Sequence, residues 1–169
     1  MESNKTALTI LSSFCGVTYT CLFSVSLFST VWLNYQNHST IGYSTDYSLI
    51  AWAGFFFLLM NQLTGFVYPY SEAGRVNPMD LVFAIIAFLL SSAQLTQTQI
   101  YTSEVCRRSV IVATSAVFTL FFILFYVDVG TSRHYEEKYG YSLLIYMALA
   151  KALSTLLKYL YQIHKNYER

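Results

Sequence analysis

The chain has 169 residues, of which 55% are hydrophobic and only 11% are charged, and its formal net charge is +1. A net charge this close to zero provides no basic surface for DNA or RNA, which excludes a nucleic-acid partner. The 15 tyrosines and 13 phenylalanines exceed what the core of a small soluble domain needs, so the composition indicates a protein of the lipid bilayer.

Continuous apolar runs predict five transmembrane helices. A helix that crosses the bilayer needs about 20 mostly apolar residues, and the charges of this chain cluster between runs of that kind. The runs cover residues 8–32, 47–67, 79–100, 109–127 and 141–164. They do not alternate apolar with polar residues, which excludes strands as the spanning elements. We therefore expect one all-α membrane domain over residues 1–169, with no soluble module.

The cysteines and histidines form no catalytic or metal-binding pattern. Cys15 and Cys21 lie within the first run, Cys106 lies in a connector, and the three histidines lie near the ends of runs. Their spacing fits neither a disulfide framework nor a metal site. No redox or hydrolytic centre is visible. We expect no enzymatic activity, no cofactor and no metal.

Two glycosylation sequons begin at Asn4 and Asn37. They are separated by one predicted helix, so they fall on opposite sides of the membrane. The adjacent Arg107 and Arg108 lie in a short connector, and positive charge favours the cytosolic side. This orientation puts the N-terminus in the lumen and the C-terminus in the cytosol, which leaves Asn4 as the site available for glycosylation.

The last apolar run carries a polar stripe. Lys151 and Lys158 are seven residues apart, so two helical turns bring them to one face, where Thr155, Gln162 and Asn166 also fall. An ionisable residue at membrane depth is costly and usually marks a pathway. Lys158 has the alternative of snorkelling toward the nearby chain end, whereas Lys151 lies nearer the middle of the run. We predict that both lysines belong to a substrate pathway.

Two acids open the second and third runs. Asp46 precedes the second run, and Asp80 heads a stripe that continues through Ala84, Ala87, Ser91, Gln94 and Thr98. Both acids are candidates for the ion pathway. The alternative for each is a carboxylate that stabilises a helix N-terminus, where the helix dipole favours negative charge.

A weak internal repeat relates the first and last runs. Thr30 and Asn34 are four residues apart near the end of the first run, and Gln162 and Asn166 have the same spacing near the end of the last. The repeat predicts a first three-helix unit over residues 8–100, a linker helix over 109–127 and the start of a second unit over 141–166. Parallel repeats of this kind occur in transporters, with the substrate between the halves.

These motifs together resemble the PQ-loop family of cystinosin-like transporters. The first family motif corresponds to Ser29, Thr30, Asn34, Ser39, Gly42 and Asp46, and the second to Lys151, Lys158, Tyr159, Gln162 and Asn166. The acid that opens the family's third helix resembles Asp80. Ser29 and Tyr161 stand where the family has proline, and Thr30 stands where it has its first glutamine. The family has seven helices, whereas this sequence has five.

The resemblance implies proton-coupled export of L-cystine, or a related amino acid, across a lysosomal or vacuolar membrane. Asp80 would be the proton-coupling acid, and Lys151 and Lys158 would serve a substrate carboxylate or pair with an acid. Thr30, Asn34, Gln162 and Asn166 would line the pathway. A second copy, or another protein that supplies two helices, is the expected partner. The alternatives are a non-transporting regulatory or assembly subunit and a truncated transporter without function.

Overall fold

The computed structural model describes residues 2–40, 44–67, 76–101, 108–131 and 136–167. Within these ranges, the side chains of residues 2–10, 67, 109, 125–126, 128–131, 136–144, 162 and 164–166 lie outside the description. Five helices account for nearly all of the described chain: α1 (Glu2–Asn37), α2 (Thr45–Val67), α3 (Pro78–Tyr101), α4 (Arg108–Thr131) and α5 (Glu136–Tyr167).

The described helices confirm the all-α membrane class. The segments Leu11–Asn37, Thr45–Phe66 and Pro78–Tyr101 are each long and apolar enough to cross a bilayer, and the described part of α4 contributes a shorter apolar segment, Val110–Leu124. A helix satisfies all its backbone hydrogen bonds internally, which is why continuous apolar runs adopt this form in lipid. The chain is therefore a helical membrane protein.

Short polar residues fix the helix ends in the connectors. The Ser44 hydroxyl accepts a hydrogen bond from the Tyr47 amide at 3.1 Å, and the Asn77 side chain accepts one from the Met79 amide at 3.1 Å. At the C-terminal end of α1, His38 has a φ of 44°, and the Ser39 amide donates a hydrogen bond to the Asn34 carbonyl at 3.3 Å. This left-handed residue ends α1 in the manner usual for helix C-termini.

Side-chain contacts give the directions of α3 and α5 relative to α2. The Trp52 indole donates to the Ser92 hydroxyl at 3.0 Å, and the rings of Phe56 and Phe88 lie 6.2 Å apart, so α2 and α3 are antiparallel. Tyr161 contacts Asp46, and Gly54 meets Ser154. These pairs make α2 and α5 antiparallel as well.

Helix α2 is the centre of the bundle. It packs against α3 and most extensively against α5, while α1 packs against α3 and α4 packs against α5. Successive residues of a helix turn by about 100°, so Trp52 and Phe56 face α3 while Gly54 faces α5 on the opposite side. The resulting order across the bundle is α1, α3, α2, α5, with α4 beside α5.

An apolar cluster lies where α2, α4 and α5 meet. Phe57, Phe121, Met147 and Ala150 form it, and the ring of Phe118 lies 4.6 Å from that of Phe57. The Thr64 hydroxyl also contacts the Met147 sulfur at 4.0 Å. Large aromatic side chains that interlock in this way fix the position of α4 against the α2–α5 pair.

Candidate functional site

A small cleft lies along the seam between α2 and α5. It has a volume of about 40 Å³, and the residues that line it are Ile50, Ala51, Gly54, Phe55, Lys151, Ser154, Thr155 and Lys158. A buried water needs roughly 10–15 Å³ of such volume, so the cleft has room for two or three waters. The cleft therefore brings Lys151 and Lys158 to one place, as their spacing predicts.

The floor of the cleft is a close approach of two small residues. A Cβ atom built on Gly54 would lie 3.3 Å from the Cβ atom of Ser154. Ser154 is only 3% exposed, and its hydroxyl donates to the Ala150 carbonyl at 2.9 Å. Because small residues let helix backbones approach closely in lipid, these two positions bring α5 onto α2.

The two lysines differ in their surroundings. Lys151 is exposed, and Lys158 is half-buried with its ammonium 5.1 Å from the centre of the Tyr47 ring and 5.2 Å from that of Tyr159. An ammonium over an aromatic face is attracted by the electron density of the ring. This contact places the Lys158 ammonium against the first turn of α2, at the end of the bundle where α5 ends, so snorkelling toward that end stays an alternative for Lys158.

Asp46 and Tyr161 meet about one turn beyond Lys158. The Tyr161 hydroxyl donates to the Asp46 carboxylate at 2.6 Å, and Asp46 is only 5% exposed. The hydroxyl of Ser44, and not the carboxylate of Asp46, accepts the amide hydrogen bond from Tyr47 that caps α2. Asp46 lies in the first turn of α2, where the helix dipole favours its charge, but its short side-chain contact is with α5.

Asp80 lies away from this cleft. It is an exposed residue in the first turn of α3, next to the cap formed by Asn77. Because α3 is antiparallel to α2, its first turn lies at the opposite end of the bundle from Asp46. The surroundings of Asp80 resemble those of a first-turn carboxylate, and its assignment as the proton-coupling acid stays a prediction.

Thr30 and Asn34 are on α1, which contributes no residue to the cleft lining. The Thr30 hydroxyl donates within α1 to the Ser26 carbonyl at 3.2 Å. Asn34 is buried at 7% exposure, and its side-chain nitrogen has no hydrogen-bond partner within the described part of the chain. The structure thus places these two predicted pathway residues apart from the lysines.

Three predicted site residues lie outside the described side chains. Gln162 and Asn166 belong to the last turns of α5, and Asn4 belongs to the first turns of α1, but their side chains are among those that the structure does not describe. Their roles in the pathway and in glycosylation stay predictions.

The structure adds residues that sequence reasoning did not select. Gly54 and Ser154 form the floor, Tyr47 supports Lys158, and Tyr161 holds Asp46. The residues that follow Asp80 along the α3 stripe are buried in the bundle and do not line the cleft: Ala84, Ala87, Ser91, Gln94 and Thr98. The three-residue spacing between Lys158 and Tyr161 was the available signal, because it puts both on one face of α5, but it does not say which helices pair.

No protein-family model and no curated protein matches the chain. Among the described residues, no group of three or more His, Cys, Asp or Glu side chains could hold a metal ion.

Proposed function

We propose that the chain is a proton-coupled transporter that exports L-cystine, or a closely related amino acid, across a lysosomal or vacuolar membrane. The observation that carries the proposal is the presence of Lys151 and Lys158 in one cleft inside a helical membrane protein. A lysine at membrane depth costs insertion free energy, so a pair of them requires a compensating use. An anionic substrate is such a use.

The spacing of the lysines favours a substrate with two carboxylates. Seven residues of helix rise by about 10 Å, which separates the origins of the Lys151 and Lys158 side chains. In a disulfide the two Cα atoms are about 4.4–6.8 Å apart, and each carboxylate carbon adds one bond of about 1.5 Å. The two carboxylates of cystine are then about 7–10 Å apart, a distance that two lysine side chains with origins about 10 Å apart can span.

Hydroxyl groups in the same lining suit the ammonium groups of an amino acid. Thr155 lies between the lysines, and its hydroxyl donates to the Lys151 carbonyl at 3.0 Å. The hydroxyl oxygen keeps lone pairs that can accept a hydrogen bond from a substrate ammonium. Positive charge for carboxylates and an acceptor for ammonium are the two requirements of amino-acid recognition.

The small volume of the cleft demands a second conformation. With about 40 Å³ it holds waters and not cystine. Transport therefore requires α2 and α5 to separate along the cleft, so that the substrate selects a wider state.

The test is cystine counterflow in proteoliposomes that contain the purified full chain. We expect wild type to exchange labelled L-cystine, stimulated by an acidic interior, and unlabelled cystine to compete better than its dimethyl ester. Replacing either lysine removes a charge-assisted hydrogen bond, which weakens apparent affinity about 10–100-fold. Arg108→Gln is the matched control, because it removes an exposed positive charge outside the cleft.

Equal competition by the ester, or equal uptake by Lys151→Ala and wild type, would contradict the role of the lysines. A wild-type chain that exchanges no amino acid would favour the second candidate function, a non-transporting membrane subunit. Two observations favour the non-transporting subunit: the cleft is narrow, and the Tyr161–Asp46 hydrogen bond lies beside it.

A further inference from the structure

The hydrogen bond between Tyr161 and Asp46 joins α5 to the first turn of α2. At 2.6 Å from the tyrosine oxygen to a buried carboxylate oxygen, it has the short length of a charge-assisted bond. Such bonds are about twice as strong as neutral ones, and a carboxylate buried at 5% exposure pays a large cost when its donor leaves. This contact therefore resists separation of the two helices at this point.

The bond lies at one end of the cleft. On α2, Asp46 is four residues before Ile50, and on α5, Tyr161 is three residues after Lys158; both neighbours line the cleft. One helical turn of about 5.4 Å thus separates the bond from the lining. The floor of the cleft is held by the Gly54–Ser154 approach. The end of the seam is held by the Tyr161–Asp46 bond.

Opening toward this end requires the bond to break. The cleft has about 40 Å³, so any amino-acid substrate needs α2 and α5 to move apart. Separation at the level of Lys158 also lengthens the gap one turn further on, where Tyr161 meets Asp46. With the predicted orientation, this is the cytosolic end of the bundle, because α1 and α2 meet there and α5 ends there.

We propose that the Tyr161–Asp46 pair is a latch that closes the α2–α5 cleft toward the side of the membrane where α5 ends. The identity of the molecule that passes rests on the proposed function. The closure itself concerns only the access of water and solutes to the cleft. In an exporter with its C-terminus in the cytosol, the latch guards the exit.

Thiol accessibility measures this closure without a transport assay. The full chain is prepared with Cys15, Cys21 and Cys106 replaced by serine and with Ala51→Cys as a reporter in the cleft lining. The protein is placed in lipid nanodiscs, which leave both faces accessible, and is exposed to a membrane-impermeant maleimide. We expect Tyr161→Phe, which removes one hydroxyl and keeps the ring, to raise the labelling rate about 10–100-fold.

Four further variants identify the cause of any change. Tyr19→Phe is the matched control, because this exposed tyrosine also loses one hydroxyl but lies on α1, which contributes no residue to the cleft lining; its labelling rate should equal that of the parent. Asp46→Asn keeps an acceptor that makes a weaker, neutral bond, so its rate should be intermediate. Asp46→Ala also removes the other contacts of Asp46, so its rate should be at least that of Tyr161→Phe. The double variant should be no faster than Asp46→Ala, because the bond is already absent there.

An unchanged rate in Tyr161→Phe would overturn the latch, as would effects of Tyr161→Phe and Asp46→Ala that multiply in the double variant. The labelling result and the result of the transport test can be distinguished from each other. A wild type that moves no cystine while Tyr161→Phe opens the cleft refutes the transporter and supports the latch. Cystine exchange by wild type, together with a labelling rate that Tyr161→Phe leaves unchanged, supports the transporter and refutes the latch.

Discussion

The close approach of α2 and α5 at Gly54 gives a quantitative prediction about stability. A Cβ atom there would lie 3.3 Å from the Cβ atom of Ser154. Carbon atoms pack best at about 3.5–4.0 Å, so Gly54→Ala must open the seam by roughly 0.2–0.7 Å. Overpacking of this kind costs about 1–3 kcal/mol, and the better helix propensity of alanine offsets up to about 1 kcal/mol.

The chain offers a matched control on α1. A Cβ atom built on Gly16 would meet nothing within 4 Å, so Gly16→Ala gains the helix propensity without the clash. The free energies of unfolding of the two variants should therefore differ by about 1–3 kcal/mol. In a chain of this size, each kcal/mol shifts the melting temperature by about 2–4 °C.

The assay is thermal unfolding of purified protein in detergent, followed by circular dichroism or tryptophan fluorescence. Gly54→Ala should melt below Gly16→Ala, and adding Ser154→Gly to Gly54→Ala should recover much of the loss, because the second change removes the opposing Cβ atom. Equal melting temperatures for the two alanine variants would refute the reasoning. So would strictly additive effects of Gly54→Ala and Ser154→Gly, since residues in contact must couple.

Three further predictions concern topology, charge and proton coupling. Protease-protection tags at the two ends should report opposite sides of the membrane; both tags on one side would contradict the five-helix count. Lys151→Ala should lose cystine exchange. Its abundance in the membrane should stay the same or rise, since a central lysine costs roughly 2.5–3.5 kcal/mol of insertion free energy. Lys151→Arg should not restore exchange, because a forked guanidinium replaces a point charge. Asp80→Asn should abolish acid stimulation of uptake at unchanged abundance; retained stimulation would leave Asp80 as a first-turn carboxylate that interacts with the helix dipole.

The number of helices and the all-α class could be predicted because they depend on local properties, although only three of the five helices are long and apolar enough over their described residues to cross a bilayer. A continuous apolar run must be helical in lipid whatever its neighbours are. The ends were less accurate: α1 spans Glu2–Asn37, against the predicted 8–32, and α5 spans Glu136–Tyr167, against the predicted 141–164. Both helices continue through polar residues beyond the apolar runs, which an apolar count does not detect.

The pairing of helices could not be predicted in the same way. Lipid tails are as apolar as leucine, so no hydrophobic driving force selects which faces meet. The same-face position of Lys151 and Lys158 follows from spacing alone, but their location against Gly54 on α2 depends on that pairing. The stripe that Asp80 heads on α3 has the same kind of spacing, but its small and polar residues pack inside the bundle.

The position of α3 between α1 and α2 has a consequence for biosynthesis. The rings of Tyr19, Phe23 and Phe83 pack at 5.3–5.8 Å, and the Gln97 amide donates to the Val31 carbonyl at 2.9 Å, so α1 is anchored to a helix that emerges later than α2. Chains are synthesised from the N-terminus, and α1 must therefore wait in the membrane, or beside the insertion machinery, until α3 arrives. Helix α2 waits longer still for its main partner, because α5 is the last of these five helices to leave the ribosome.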